Sequence, residues 1–171
     1  MKKTCISFGL ILIIVLSALL LIKSAGETEY LRIHIRANSN SQIDQNIKYK
    51  VKDLVVTYLT PIIKNAQSKD EAISIIESQK NTVNGLIDRF LCENGFAYKA
   101  KTDVRKEKFP TRVYKELTLK EGIYDAVIIE LGKAEGDNWW CVVFPPLCFT
   151  GEKVTYYSVI AEFFKRLKQG G

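Results

Sequence analysis

The run Trp139-Trp-Cys-Val-Val-Phe144, closed by Pro145-Pro146, constrains this chain more than any other stretch. As a strand it sends Trp139, Cys141 and Val143 to one face and Trp140, Val142 and Phe144 to the other, so both faces are apolar. Such a strand belongs in the middle of a sheet covered on both sides, or leaves one aromatic face for a partner. The prolines end it, because neither can donate to a ladder and Phe144, preceding a proline, is pushed out of the helical region. A turn there brings Cys148 back beside Cys141. In an oxidising compartment the pair can close a disulfide loop worth about 2.5 kcal/mol on chain-entropy grounds. A reactive thiol would need a base, and the only histidine, His34, is far away in the sequence. The C-x6-C spacing is also poor for zinc, and no metal site is expected.

The compartment follows from the start of the chain. Lys2-Lys3, an apolar run from Ile6 to Ile22, and the small residues Ser24-Ala25-Gly26 form an export signal. The run also approaches the length of a bilayer span, so residues 1–26 are a signal peptide or an N-terminal membrane anchor. Either way, residues 27–171 are expected outside the cytoplasm as a single domain. The first 26 residues hold three lysines and no acid, which leaves 22 basic against 19 acidic residues, a net charge of +3. That is too weak for nucleic-acid binding. The basic residues are scattered apart from Lys99, Lys101, Arg105, Lys106 and Lys108, a set that reads as a solvated face, with contact to an anionic membrane surface as its functional alternative. Cys92 reads as a small buried residue.

Tyr30 to Ala37 alternates as a first strand, with Leu31, Ile33 and Ile35 on one face and Arg32, His34 and Arg36 on the other. Ser41 or Asn40 can cap the amphipathic helix that follows, which Pro61 ends to within a turn. Ser68 to Glu71 reads as the capping box of a second helix, and Gly95 as its left-handed stop. Extended segments follow at Phe96–Phe109, Leu117–Leu119 and Ile123–Leu131, and Val154–Leu167 closes the chain as a helix. The fold class is α+β: a mostly antiparallel or mixed sheet covered by an antiparallel pair of amphipathic helices, with a C-terminal helix.

Motifs for phosphate cradling, zinc proteolysis, redox dithiols and the serine-hydrolase elbow do not occur. His34 lies on a strand between arginines, where a structural hydrogen bond is the simpler reading. No catalytic residue or cofactor is assigned. Arg36, Asn38, Arg112, Tyr114, Asn138 and Trp139 stand out instead as polar and aromatic residues at strand ends, and Arg, Tyr and Trp are the types that anchor protein interfaces.

These landmarks resemble the stage II sporulation protein R family. The resemblance rests on His34-Ile-Arg-Ala-Asn38-Ser39-Asn-Ser41 with Asp44-Gln45, on Lys50-Val-Lys-Asp53, on Glu93-Asn-Gly95, and on Phe109-Pro-Thr-Arg112-Val-Tyr114. It continues through Leu117-Thr-Leu119 with Gly122-Ile-Tyr124, and through Asn138-Trp-Trp-Cys-Val-Val-Phe-Pro-Pro-Leu-Cys148. Lys120-Glu121 and Ala134 depart from it. The resemblance implies a protein made in the forespore and exported between the forespore and mother-cell membranes. There it would activate a membrane-bound aspartic protease, the sigma-E processing peptidase, which cuts the sigma-E precursor. It would be an activator and not an enzyme; from their residue types and strand-end positions, Arg36, Asn38, Arg112, Tyr114, Asn138 and Trp139 are expected to form its partner-binding set. The competing reading is an exported hydrolase acting on peptidoglycan or protein.

Overall fold

Strand β1, Leu31–Arg36, lies inside the sheet and is followed by two long helices, α1 (Gln42–Ile63) and α2 (Lys69–Glu93). The computed structural model describes residues 30–114, 117–146 and 163–168. Ser41 caps α1, its hydroxyl accepting from the Asp44 amide, and Ser68 caps α2 by accepting from Glu71. The reciprocal half of the capping box differs from expectation: Glu71 accepts from the Gln67 amide, one residue earlier than the cap itself. Pro61 sits inside the last turn of α1, where the missing N–H removes one bond, and the Lys64 amide still reaches the Thr60 carbonyl. Gly95, with φ +82°, ends α2 as its sequence indicates.

Three further strands and a short hairpin are described: β2 (Ala100–Phe109), β3 (Arg112–Tyr114), β4 (Leu117–Leu119), β5 (Gly122–Leu131) and β6 (Asn138–Phe144), with β3–β4 the hairpin. The main sheet runs β2–β5–β1–β6. β5 pairs antiparallel with β2 and parallel with β1, and β6 is antiparallel to β1. The sheet is therefore mixed, because the two helices carry the chain across before β5 returns alongside β1. Leu31, Ile33, Ile35, Val127, Ile129, Cys141 and Val143 form one core with the inner faces of both helices. Residues 163–168 are helical, and Phe163 packs edge-on against Phe90 with ring centroids 5.3 Å apart. The remainder of the expected C-terminal helix, residues 154–162, lies outside the described residues, as do residues 1–26 and Cys148.

Two further expectations change. The tryptophan strand is an edge of the four-stranded sheet, not its middle. Its apolar faces are met by covering layers, the helices over Cys141 and Val143 and an aromatic cluster around Trp140, so a flanking strand on each side is not needed. Cys92 is exposed, because Leu91 takes the inward position and the next residue is turned about 100° around the helix.

The ten-residue strands β2 and β5 pair along their whole length, from Ala100↔Leu131 to Phe109↔Gly122. The same register resumes beyond a break at Pro110-Thr111 and Lys120-Glu121, where Arg112 pairs with Leu119 and Tyr114 with Leu117. Thus β2, β3, β4 and β5 are one β-ribbon, bent where Pro110 cannot donate, with Thr111 Oγ1 accepting from the Glu121 amide. The outer edge of β2 is partly closed by α2, since Asp88 and Asn84 accept from the Ala100 and Thr102 amides.

Candidate docking surface

The sheet face away from the helices holds the charged side of β1. Strand registers place Arg32, His34 and Arg36 between Ala126, Ile128 and Glu130 of β5 and Val142, Trp140 and Asn138 of β6. Asp103, Arg105, Glu107 and Phe109 of β2 flank β5 on the same face.

The middle of this face is an ion-pair grid. Arg36 Nη1 donates to Glu130 Oε1 at 3.0 Å, and its Nη2 donates to Glu107. Arg105 reaches Glu130 at 3.1 Å, and Glu107 and Asp103 at 3.3 Å each. Alternating opposite charges on neighbouring strands thus tile the sheet. His34, 1 % exposed, donates from Nδ1 to Glu107 at 3.0 Å and stacks flat on Trp140 with centroids 3.6 Å apart. Burial pulls the His34 pKa below its ordinary value, against the opposing pull of Asn138 and Glu107, so the ring is neutral near pH 7. Asn138 acts on the ring without a well-formed hydrogen bond, since Nε2 has no partner of good geometry. With one nitrogen on Glu107 and its face on Trp140, His34 holds the surface in shape.

At one end of the face Arg32 is fully buried. Its guanidinium carbon lies 4.2 Å from the Phe109 ring centre and 4.9 Å from that of Tyr124, and Nη2 donates to Tyr114 Oη at 2.7 Å. Phe109 packs edge-on against Trp140 at 4.7 Å, and the exposed Arg112 stands 5.9 Å from the Trp140 ring centre.

At the opposite end three segments are tied together. Asp44 in the first turn of α1 accepts from Ser39 Oγ at 2.5 Å, Tyr98 Oη at 2.7 Å and Asn38 Nδ2 at 2.8 Å. Asn38 Oδ1 accepts from the Lys133 amide at 2.9 Å, and the Gly136 amide donates to the Ala37 carbonyl. Ala134, where the family resemblance leads one to expect a glycine-richer loop, adopts φ +56°. Lys48, buried, donates to Gln45 Oε1 and to the Asp137 carbonyl.

The structure therefore separates the residues singled out by sequence. Arg36, Arg112 and Asn138 lie on or over the face away from the helices, which is open among the described residues, while Tyr114 reaches its Arg32 end with its hydroxyl and packs its ring against the helix-side core. Asn38 has both ends of its amide engaged in the loop junction. Trp139 is half-buried against the helix layer, 5.8 Å from Lys52 Nζ. The open face adds Trp140, Arg32, Glu107, Glu130 and Arg105. Their signal lay in the alternating charges of two strands, which becomes a grid only when the pairing of β2, β5 and β1 is known.

Among the described residues no helix is long and apolar enough to cross a membrane, and no group of three or more His, Cys, Asp or Glu could hold a metal ion. The family model for stage II sporulation protein R matches residues 27–154. A stage II sporulation protein R from Bacillus subtilis (strain 168) is 36% identical over 119 residues, which cover 70% of this chain and 53% of that protein. The chain thus spans about half the length of the curated relative it matches. No solved structure matches. With the matched region taking in both helices, the ribbon and the tryptophan strand, the chain belongs to the stage II sporulation protein R family.

Proposed function

We propose that this protein is an exported sporulation signal that activates a membrane-bound aspartic protease, the sigma-E processing peptidase, and so brings about processing of the sigma-E precursor in the mother cell. The observation that carries the reading is the family match across residues 27–154, the part expected outside the cytoplasm. An activator acts by binding the active form of its target more tightly than the inactive one. The open sheet face suits such binding, since its grid and aromatic stack are already ordered and docking costs little side-chain entropy. Trp140 and Arg112, rimmed by Arg36 and Asn138, are its anchors in this reading. Asn38 shapes the adjoining loops, and a Cys141–Cys148 disulfide would staple the edge strand. Exposed Lys106 and Lys108, on the opposite side of β2 from Glu107, would face the membrane surface beside the protease.

The test is co-expression of the full chain with the protease and the sigma-E precursor in a non-sporulating host. Processing should require this chain, and the purified chain alone should cleave neither peptidoglycan nor the precursor. Processing that occurs without the chain would refute activation, and turnover of either substrate by the chain alone would return the exported-hydrolase reading to first place.

A further inference from the structure

Arg32 has a guanidinium with no carboxylate beside it among the described residues, although it is 0 % exposed. Among the described residues its Nε and Nη1 have no hydrogen-bond partner, and Nη2 meets the neutral Tyr114 hydroxyl. Every other arginine of the open-face grid meets acids. Beyond the Phe109 and Tyr124 rings, the tip of the β-ribbon, β3–β4, closes on Arg32 through Tyr114, whose ring centre lies 5.8 Å from the guanidinium carbon, and brings Arg112 beside Trp140 of β6. The tip is a two-stranded piece of three residues a side, and Val113 on it is 67 % exposed. Such a piece is marginal by itself and depends on what latches it.

We infer that the β3–β4 tip is a strap, latched by Tyr114, whose opening presents Arg32 to an Asp or Glu carboxylate of the protein that docks on the open face. This rests on the docking reading given above. The chemistry favours a carboxylate: a planar guanidinium offers paired N–H donors that one carboxylate can meet together, whereas a tyrosine hydroxyl meets one. Phe109 and Tyr124 hold the guanidinium in place, so the fork is preorganised once the strap lifts. Val113 gives the lifted strap an apolar side chain to bury against the partner.

Two variants test this. Arg32→Met keeps an unbranched chain among the rings and removes the unpaired cation; it should melt at or above the wild-type temperature, yet lower precursor processing at least tenfold in the co-expressed system. Tyr114→Phe removes the latch, and hydrogen exchange of the amides of 112–114 and 117–119 in the purified protein should speed at least threefold. Processing by Arg32→Met within twofold of wild type, or an Arg32→Met protein that melts well below wild type, would overturn the inference. So would unchanged tip exchange in Tyr114→Phe. A wild-type chain that elicits no processing would instead remove the docking reading itself.

Discussion

Replacing Asp44 should unfasten one end of the domain, by an amount that the structure lets us estimate. Its carboxylate, 7 % exposed, accepts from Ser39, Asn38 and Tyr98, and so joins the β1–α1 loop to the segment entering β2 and, through Asn38, to the β5–β6 loop. Hydrogen bonds to a charged group are worth about 1.5–3 kcal/mol each, and three that share one acceptor do not add fully. Asp44→Ala should therefore cost about 3–4 kcal/mol, a fall in Tm of roughly 10 °C for a domain of this size. Burial pushes the carboxyl up, but the bonds from Ser39, Tyr98 and Asn38 outweigh it and hold the group below its ordinary range. A carboxyl depressed in the folded state stabilises above its unfolded pKa, about 3.9, and that stability is lost as pH falls through the lower folded value. Thermal melts followed by circular dichroism should thus show a wide gap between wild type and Asp44→Asn at pH 6 that narrows below pH 4. A gap that does not change with pH, or an Asp44→Ala protein melting within 2 °C of wild type, would mean that the Asp44 carboxylate does not fasten this end.

Two further outcomes are expected. His34 is depressed by burial, so between its lower folded pKa and about 6.5 the unfolded chain binds more protons; stability should fall as pH drops below 6.5, and pH-dependent melts of His34→Gln should lack that slope. At Gly132, φ is +56° and a Cβ would overlap Asn38 Oδ1, so Gly132→Ala should cost about 2–3 kcal/mol in urea unfolding. Gly95→Ala, strained in φ but with open space around it, should cost only about 1 kcal/mol by the same measurement.

Much of the fold was legible because it rests on local signals. Helical spacing of Ile47, Val51, Leu54 and Val55, the serine caps and Gly95 mark α1 and α2 without reference to the rest of the chain. The alternation of Leu31, Ile33 and Ile35 likewise marks β1 and its core face. What could not be read is what depends on pairing. The apolar character of β6 on both faces looked like a central strand, since the sequence does not show that an aromatic cluster, and not a second neighbour, covers Trp140. The grid was hidden for the same reason: Glu107 and Glu130 look like ordinary surface acids until β2 and β5 bring them between Arg105 and Arg36. Trp139 and Trp140 are neighbours of equal chemistry, and only the register against His34 decides which of them faces away from the helices.

Docking through the open face is tested most directly by a pair of charge-introducing substitutions on opposite sides of the molecule, scored by precursor processing in the co-expressed system. Arg112→Glu alters the open face beside Trp140, while Ile43→Glu alters an exposed position on α1 in the helix layer. With both proteins folded by circular dichroism, processing should be lost with Arg112→Glu and kept with Ile43→Glu. Processing kept with Arg112→Glu and lost with Ile43→Glu would contradict docking through the open face and move the docking surface to the helices.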